Sequence, residues 1–212
     1  MRVLILGAGG HAQVVADILL QAASRGSTLA PLGYLDDDRT LLGERRLGLP
    51  ILGTIDQIDD IEHDAVIIGI GHNPTRHRLF EEMQDCNQFI VTAYHPSSIV
   101  GGDVEVGPGS VLCAGAIVNP GSRIGANVII NTGATVDHHN VLGDHVHIGP
   151  GAHLGGDVRV GTGTLIGIGS TIMPQRTVGA WSVVGAGGVV TTNIGDECVV
   201  VGVPARSNRA KV

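Results

Sequence analysis

Residues 99–134 read IVGGDV EVGPGS VLCAGA IVNPGS RIGANV IINTGA when the sequence is divided into rows of six. The same division continues without insertion to Ile194, and the second position of all sixteen rows is Val, Ile or Leu. A period of six matches neither the 3.6-residue period of an α-helix nor the two-residue alternation of a half-buried strand. It is typical of a β-solenoid, in which each row contributes one short strand and one turn.

Glycine occupies the fifth position of many rows, including Gly109, Gly115 and Gly121. A chain that turns sharply near a narrow interior favours glycine, because glycine has no Cβ to clash with its surroundings. Each coil of a solenoid buries its apolar face only against its neighbours, so a stable solenoid needs several coils. The unbroken repeat from residue 99 to residue 194 is long enough to provide them.

The first half of the chain follows a different pattern, because apolar segments that predict strands alternate with segments of helical periodicity. This alternation is typical of a small parallel α/β domain. We predict an α/β domain over residues 1–94 and a β-solenoid domain over residues 95–212. The expected elements of the first domain are strands within 2–6, 30–38, 64–71 and 89–96, a glycine loop feeding a helix within 7–26, and a helix within 73–86. The expected apolar face of the first helix is Val14, Val15, Ile18, Leu19 and Ala22.

The composition excludes several classes of protein. A formal net charge of −7 argues against a general nucleic-acid-binding protein, which needs a basic face. The chain has no run of about 18 apolar residues, so no membrane-spanning helix is predicted. The three cysteines have no CxxC spacing and indicate free thiols in a reducing compartment, so we expect a cytoplasmic protein.

A glycine-rich loop joins the first predicted strand to the first predicted helix. Residues 7–12, GAGGHA, fit the loose pattern GxGxx[GA], and Gly9, Gly10 and His11 stand where a helix N-terminus attracts phosphate. Asp36 and Asp37 end the second strand, where a carboxylate can bind a ribose hydroxyl or a base edge. The alternative is a tight turn with solvated acids. The domain is about half the size of a full dinucleotide fold, which favours a mononucleotide-sized ligand.

Gly71 and Asn73 close the third strand at the carboxyl edge of the same predicted sheet. Ligands of open parallel sheets bind at this edge. Two interpretations are open: the two residues line the nucleotide pocket, or they cap the helix that begins near Pro74.

Five motifs, together with the six-residue repeat, extend over nearly the whole chain: GAGGH (7–11), YLDD (34–37), IGHN (70–73), VDHH (136–139) and VGVPAR (201–206). With the six-residue repeat, the chain resembles the bacterial nucleotide-amino-sugar N-acetyltransferases and the related sialic acid O-acetyltransferases, which are hexapeptide-repeat enzymes. The resemblance implies a left-handed parallel β-helix with three rows to a coil, and a homotrimer with active sites between subunits. It further implies that the α/β domain binds the nucleotide of a nucleotide-linked amino sugar and that acetyl-CoA, the co-substrate, lies between two β-helices.

The resemblance also assigns residue roles. His138 stands at the position of the family's catalytic base, with Asp137 and His139 as its catalytic neighbours. On the acetyl-CoA side, His147 matches a residue at the thioester end, Gly156 and Ile168 match backbone positions along the pantetheine arm, and Arg206 lies in the segment near the CoA nucleotide. On the substrate side, Gly9, Gly10 and His11 match the phosphate loop, and Asp36 and Asp37 match the contacts to base and ribose.

One position departs from the family pattern. The residue after the catalytic histidine is commonly acidic in the family, and here it is His139. Asp137 precedes the base and Asp144 lies one row on, and which of these residues orients His138 is open at this point. A neutral neighbour supports a protonated base less than a carboxylate does, so we expect the acid limb of the pH–rate profile to lie at lower pH.

The stretch TVDHHNVLGDHVHIGPGAH, residues 135–153, holds five of the ten histidines and raises the alternative of a metal site. The γ-class carbonic anhydrases share the solenoid and bind zinc between chains through histidines, two of which are five residues apart. No pair here has that spacing, and His147 and His153 fall in adjacent rows, which project from different faces of a three-row coil. We therefore expect no metal, and we interpret His145 and His153 as polar residues of the outer surface.

The sequence therefore predicts an acetyl-CoA-dependent N-acetyltransferase of surface-glycan biosynthesis, acting on a UDP-, GDP- or dTDP-linked 4-amino-deoxysugar. The expected mechanism is direct attack of the amine on the thioester with His138 as general base. Three alternatives are open: a sialic acid-type O-acetyltransferase, a γ-carbonic anhydrase-like zinc protein, and a non-catalytic nucleotide-sensing scaffold. Neither the nucleotide base nor the sugar is determined by the sequence.

Overall fold

The computed structural model describes residues 1–207, in two compact units that divide after Pro96. The boundary predicted from the sequence, after Tyr94, lies two residues earlier. The first unit is an α/β domain and the second, which begins at Ser97, is a left-handed β-helix. Among the described residues, no helix is long and apolar enough to cross a membrane.

A five-stranded sheet in the order β3-β4-β2-β1-β5 forms the centre of the first unit. Its pairs are parallel except for the β3–β4 hairpin. Short 3-10 helices span Arg39–Leu41 and Ile55–Asp60. The elements are β1 (Arg2–Leu6), α1 (Gly10–Ser24), β2 (Ala30–Leu35), β3 (Arg45–Arg46), β4 (Leu49–Gly53), β5 (Ala65–Ile68) and α2 (Asn73–Asp85).

The parallel register brings the carboxyl ends of β1, β2 and β5 to one edge of the sheet. Leu6 pairs with both Leu35 and Ile68, the last residues of the two neighbouring strands. The loops that follow these strands begin at Gly7, Asp36 and Gly69 and therefore lie side by side. This is the edge at which the sequence predicts a ligand.

Three details of the first unit differ from the sequence-based prediction. Val14 is 38% exposed, because Ala12 and Ala16 complete the buried face of α1 instead. Residues 89–96 do not form one strand: they contribute a single bridge from Ile90 to Val66 and a two-residue strand, Ala93–Tyr94. The β3–β4 hairpin was not predicted, because a strand of two residues carries no periodic signal.

Each of the sixteen rows forms a two-residue strand at its first and second positions, as the repeat predicts. From Ile99–Val100 to Thr171–Ile172, each strand pairs in parallel with the strand 18 residues further along, so three rows make one coil. The last coil is two residues shorter, because Val183 pairs with Val199. Face one contains Ile99–Val100, Ile117–Val118, Thr135–Val136, His153–Leu154, Thr171–Ile172 and Val189–Val190. Face two contains Glu105–Val106, Arg123–Ile124, Val141–Leu142, Arg159–Val160 and Thr177–Val178. Face three contains Val111–Leu112, Ile129–Ile130, His147–Ile148, Leu165–Ile166, Val183–Val184, Val199–Val201 and the antiparallel Arg206–Ser207.

The aliphatic second-position residues stack on one another and fill the interior of the β-helix. From Leu112 to Val190 they are all at most 4% exposed. The stack opens at its first coil, where Val100 is 41% exposed. Fully burying a side chain of this size stabilises a fold by about 1.5–3 kcal/mol, so the ladder is the main source of stability of the second unit.

From Asp103 to Gly187, the fifth position of each row turns the chain from one face to the next in a left-handed backbone conformation. After face three this corner is always glycine: Gly115, Gly133, Gly151, Gly169 and Gly187. The corner after face one accepts side chains at the same conformation, and His139 there has a φ of +57°. Histidine, like asparagine and aspartate, adopts this left-handed conformation more often than other residues with a side chain.

Candidate active site

The loop between β1 and α1 presents a helix N-terminus without a side chain in front of it. Gly9 is the N-cap of α1, Gly10 and His11 open the helix, and the first turn has no acidic residue. Gly7 has a φ of +99°, and a Cβ on it would lie 3.0 Å from the side chain of Ile70. The first amides of a helix lack carbonyl partners within the helix, so this loop can bind an anion such as a phosphate.

His11 is held neutral at this loop. Burial lowers its pKa to about 4, and the charge of Arg76 lowers it further in the same direction. Nε2 of His11 is shielded from solvent. At neutral pH the positive potential near the loop therefore comes from the helix N-terminus and from Arg76 rather than from an imidazolium.

Arg76 is a functional candidate that the sequence analysis missed, since an arginine on a helix is ordinarily a surface residue. Its side chain is 1% exposed, and burial lowers its pKa to about 10, which leaves it charged at neutral pH. Nη1 donates to the carbonyl of Gly71 (3.1 Å) and to Oδ1 of Asn73 (2.9 Å). These bonds brace the loop that follows β5, and they leave open whether Gly71 and Asn73 line the nucleotide pocket or cap α2.

The two acids after β2 have different partners. Asp36 accepts the backbone N–H of Ala8 through Oδ2 (2.6 Å) and that of Asp38 through Oδ1 (2.9 Å), so it holds the glycine loop to its own turn. Asp37 accepts the backbone N–H of Ile55 through Oδ1 (3.1 Å). Asp37 also lines a pocket of about 390 Å³ between the second 3-10 helix and α2.

In the second unit, the turn that carries His138 is held by side chains from the adjacent coils. Asp137 accepts two hydrogen bonds through Oδ1, one from Nδ2 of Asn119 (2.8 Å) and one from the backbone N–H of His138 (2.8 Å). The bond from Asn119, and then that from His138, holds the pKa of Asp137 below its ordinary value. The carbonyl of Asp137 accepts the hydroxyl of Ser122 (3.0 Å).

Asn140 continues this support inside the β-helix. Its side chain is fully buried, with Nδ2 donating to the carbonyl of Gly155 (3.0 Å) and Oδ1 accepting the backbone N–H of Val158 (3.1 Å). Asn119, Ser122 and Asn140 were missed by the sequence analysis. The signal that was available is the sixth position of the row, where Asn140 and Arg176 are the exceptions in a column of small or apolar residues.

His138 and His139 are both exposed and contact one another at the corner after face one. Their Nδ1 atoms are 3.0 Å apart, and their rings are nearly perpendicular at 78°. The ring of His138 leans over Gly156, one coil further on: a Cβ on Gly156 would lie 2.6 Å from Nε2. Gly156 was expected to contribute only backbone to a CoA channel, and the structure gives it a direct contact with the predicted base.

The other three predicted CoA-side residues lie on or beside face three. His147 is half-buried, with Nε2 at 3.1 Å from Nδ2 of Asn131. Ile168 is 62% exposed beside the corner glycines. Arg206 lies in the last antiparallel strand and lines a pocket of about 310 Å³ at the C-terminal end of the β-helix.

The five histidines of residues 135–153 do not converge within one chain. His147 is on face three and His153 on face one, where Nδ1 of His153 lies 2.8 Å from the hydroxyl of Thr135. His145 is buried rather than an outer-surface residue, with Nδ1 at 2.9 Å from Nδ2 of Asn127. Within residues 1–207 no group of three or more His, Cys, Asp or Glu side chains could hold a metal ion.

Comparison with known proteins places this geometry in a family. The sequence profile of the PglD N-terminal domain matches residues 2–83. The acetyltransferase domain of PglB from Neisseria gonorrhoeae is 34% identical over 98% of this chain and 99% of that chain, with a TM-score of 0.90. A variant of perosamine N-acetyltransferase from Caulobacter crescentus is 37% identical over 97% and 96%, with a TM-score of 0.89. WeeI from Acinetobacter baumannii is 27% identical over 98% and 100%, with a TM-score of 0.87. No curated protein sequence matches the chain.

An α/β domain with a bare helix N-terminus, joined to a left-handed β-helix with an exposed histidine, defines an acyltransferase of the hexapeptide-repeat class. The chain belongs to the hexapeptide-repeat nucleotide-sugar N-acetyltransferases. The fold class and the family resemblance inferred from the sequence are confirmed.

Proposed function

We propose that this enzyme transfers the acetyl group of acetyl-CoA to the amine of a nucleotide-linked 4-amino sugar, with His138 as general base. The observation that carries the proposal is identity of 34% and 37% over nearly the whole length of two acetyltransferases. The PglB domain was solved with acetyl-CoA, and the perosamine enzyme with CoA and GDP-perosamine. The same two ligand classes are proposed here.

The α/β domain is the proposed site of the nucleotide. The amides of Gly9, Gly10 and His11 would bind the diphosphate, helped by the buried charge of Arg76. Oδ1 of Asp37 accepts the backbone N–H of Ile55, and the other carboxylate oxygen is proposed to bind the base or ribose. Both oxygens of Asp36 already accept backbone N–H groups, so any hydrogen bond from Asp36 to the ligand would be an additional one. Asp36 is therefore proposed to act mainly by shaping the loop.

The β-helix is the proposed site of acetyl transfer. The sugar nitrogen attacks the thioester carbonyl carbon, the N–C bond forms and the C–S bond breaks. Nε2 of His138 takes the proton that the nitrogen loses and passes it to the departing thiolate. General-base catalysis of this kind is typically worth about 10²–10⁴-fold, and holding the two substrates together supplies the remainder.

An acyl-enzyme on Cys113 is disfavoured. Cys113 is fully buried within the β-helix, and burial raises the pKa of its thiol to about 12. Such a thiol is almost wholly protonated at neutral pH and is a poor nucleophile. Direct transfer between the two substrates needs no such group.

The β-helices are further proposed to assemble as a homotrimer, with acetyl-CoA between neighbouring subunits. His147, Gly156, Ile168 and Arg206 are the proposed contacts. The exposed Ile168 beside an all-glycine corner supports this assignment, because an extended pantetheine arm needs a smooth apolar wall.

The test is CoA release from acetyl-CoA with a panel of UDP-, GDP- and dTDP-linked 4-amino sugars, and a sialic acid as the hydroxyl acceptor. We expect release with one or more of the amines and its loss by about 10²-fold or more in His138→Asn. The matched control is His77→Gln, a surface histidine on α2, which should keep wild-type activity. Release with the hydroxyl acceptor alone would favour the O-acetyltransferase, and full activity of His138→Asn would exclude the proposed base.

A further inference from the structure

The predicted base has an imidazole as its hydrogen-bonding partner. At 3.0 Å, the Nδ1 atoms of His138 and His139 are close enough to share one proton, so in a neutral pair one ring donates and the other accepts. We propose that His139 is a positioning residue that accepts a hydrogen bond from Nδ1–H of His138 and so leaves Nε2 of His138 as the proton acceptor. This rests on the proposed function, in which His138 is the base.

The direction of this hydrogen bond decides whether His138 can act. If His138 donates, its proton is on Nδ1 and the exposed Nε2 has a lone pair. If His139 donates instead, the proton of His138 is on Nε2, and the ring has no site left for a proton from the substrate. After catalysis begins, His138 gains a proton on Nε2 and keeps its bond to His139, which then faces an imidazolium rather than a neutral ring.

The backbone holds His139 where this bond forms. Its left-handed φ of +57° turns the side chain along the corner, and the ring lies over Gly121, one coil earlier. A Cβ on Gly121 would be 2.8 Å from Cδ2 of His139. Gly121 thus makes room for His139 on one side, and Gly156 makes room for His138 on the other.

The acids that the sequence analysis also considered as partners of His138 have other roles. The bonded oxygen of Asp137 accepts the backbone N–H of His138 and the amide of Asn119. Asp144 belongs to the row of face two, where its Oδ1 accepts the backbone N–H of Ala126 (2.7 Å). In the described residues the ring nitrogen contact of His138 is therefore to His139.

Other titratable groups on the adjacent coils must be kept constant in any pH experiment. On the coil after His138 these are His153, which contacts Thr135, and Asp157, whose backbone N–H donates to the carbonyl of His138 (3.0 Å). On the coil before it, Asn119, Pro120 and Gly121 occupy the equivalent positions and do not titrate. Variants are therefore made at position 139 alone.

The first experiment determines the tautomer of His138 in the full chain by ¹⁵N NMR with labelled histidine, with assignment from the His138→Asn variant. We expect the Nδ1–H tautomer in the wild type at pH 8 and its replacement by the ordinary Nε2–H tautomer in His139→Gly. Glycine is chosen because it tolerates the left-handed corner. An Nε2–H tautomer of His138 in the wild type would overturn the inference.

The second experiment measures kcat and KM across pH. His139→Gly should lower kcat by about tenfold to a hundredfold, within the range of general-base catalysis, with little change in KM. His139→Asp should restore kcat, because an aspartate Oδ can occupy the place of Nδ1 and because Asp103 and Asp157 already adopt this corner conformation. Its acid limb should lie at higher pH than that of the wild type, since an anion stabilises the imidazolium. A wild-type kcat in His139→Gly contradicts the inference.

The matched control is Asp103→Gly, which places glycine at the same corner two coils earlier and should leave kcat unchanged. Failure of the inference and failure of the proposed function are distinguishable. If His138→Asn is inactive while His139→Gly retains the wild-type tautomer and kcat, only the role of His139 is lost. If His138→Asn is fully active, the proposed base itself is wrong.

Discussion

At the residue scale, the orientation of the His138 ring depends on Gly156, one coil further on, which has no side chain. The ring lies against Gly156, and a methyl group there would overlap Nε2 and Cε1. Because Gly156 has no left-handed φ, the steric conflict with His138 is the direct consequence of adding a Cβ. The geometry of the base is therefore set partly by a residue 18 positions downstream.

We predict that Gly156→Ala displaces the His138 ring and lowers kcat by about 10²-fold, the usual consequence of misplacing a catalytic group by about 1 Å. Steady-state kinetics with an acceptor that supports CoA release in the assay proposed above would measure this. Gly102→Ala is the matched control, since Gly102 occupies the same position three coils earlier and has no atom within 4 Å of an added Cβ. Equal kinetics of the two variants would contradict the contact.

The buried His11 makes the α/β domain sensitive to acid. Its pKa in the folded chain is about 4, below the ordinary value of 6.5, so the unfolded chain binds a proton first as the pH falls. The stabilising contribution is fully present above about pH 6.5 and is lost as the pH falls through about 4. The full loss corresponds to roughly 3 kcal/mol.

We predict that His11→Gln reduces this loss of stability. The difference in free energy of unfolding between the variant and the wild type should shift in favour of the variant by up to about 3 kcal/mol between pH 7 and pH 4. Urea unfolding at several pH values would measure it. A constant difference across that range would show that His11 is not the acid-sensitive group.

At the element scale, stability of the β-helix depends on the second-position ladder. Val118 and Val100 are both second-position valines of face one, in adjacent coils. Val118 is fully buried, whereas Val100 is 41% exposed at the open end of the stack. Val118 and Val100 therefore share the residue type, the face and the position in the row, and they differ in how deeply the side chain is buried.

We predict that Val118→Ala lowers the free energy of unfolding by about 2 kcal/mol, from lost transfer energy and a residual cavity. Val100→Ala should cost less than about 0.5 kcal/mol. Thermal or denaturant unfolding of the two variants gives the comparison. A similar cost for both would mean that the first coil is as well packed as the second.

The elements also show which parts of the structure a sequence can predict. The rows were predictable because their period is local, and α1 and α2 because glycine and proline mark their starts. The contacts of the site were not, since Asn119 and Asp137, or His138 and Gly156, meet only through an 18-residue register. The burial of Arg76 and the bonds of Asp36 to the glycine loop likewise depend on tertiary packing that no local pattern reports.

At the scale of the whole molecule, the β-helix is built from a repeating coil of 18 residues. Each coil contacts only its neighbours, so adding a whole coil preserves every face, whereas adding one row moves all later rows to a different face.

We predict that tandem duplication of residues 159–176 gives a folded protein with an unchanged or higher melting temperature. Duplication of residues 171–176 alone should give a less stable one, because every later row would move to the next face and lose its present strand partner. Circular dichroism and thermal unfolding measure both, and equal stability of the two duplication variants would contradict the three-row coil.

The contact between His138 and Gly156 corresponds to a sequence pattern that can be looked for in other proteins. A histidine at the fourth position of a row, glycine 18 residues later, and a hydrogen-bond acceptor immediately after the histidine together form a three-position signature. Lineages that replace the glycine should also have lost or relocated their base, and those that keep all three should retain acyl transfer even where the remaining sequence has diverged.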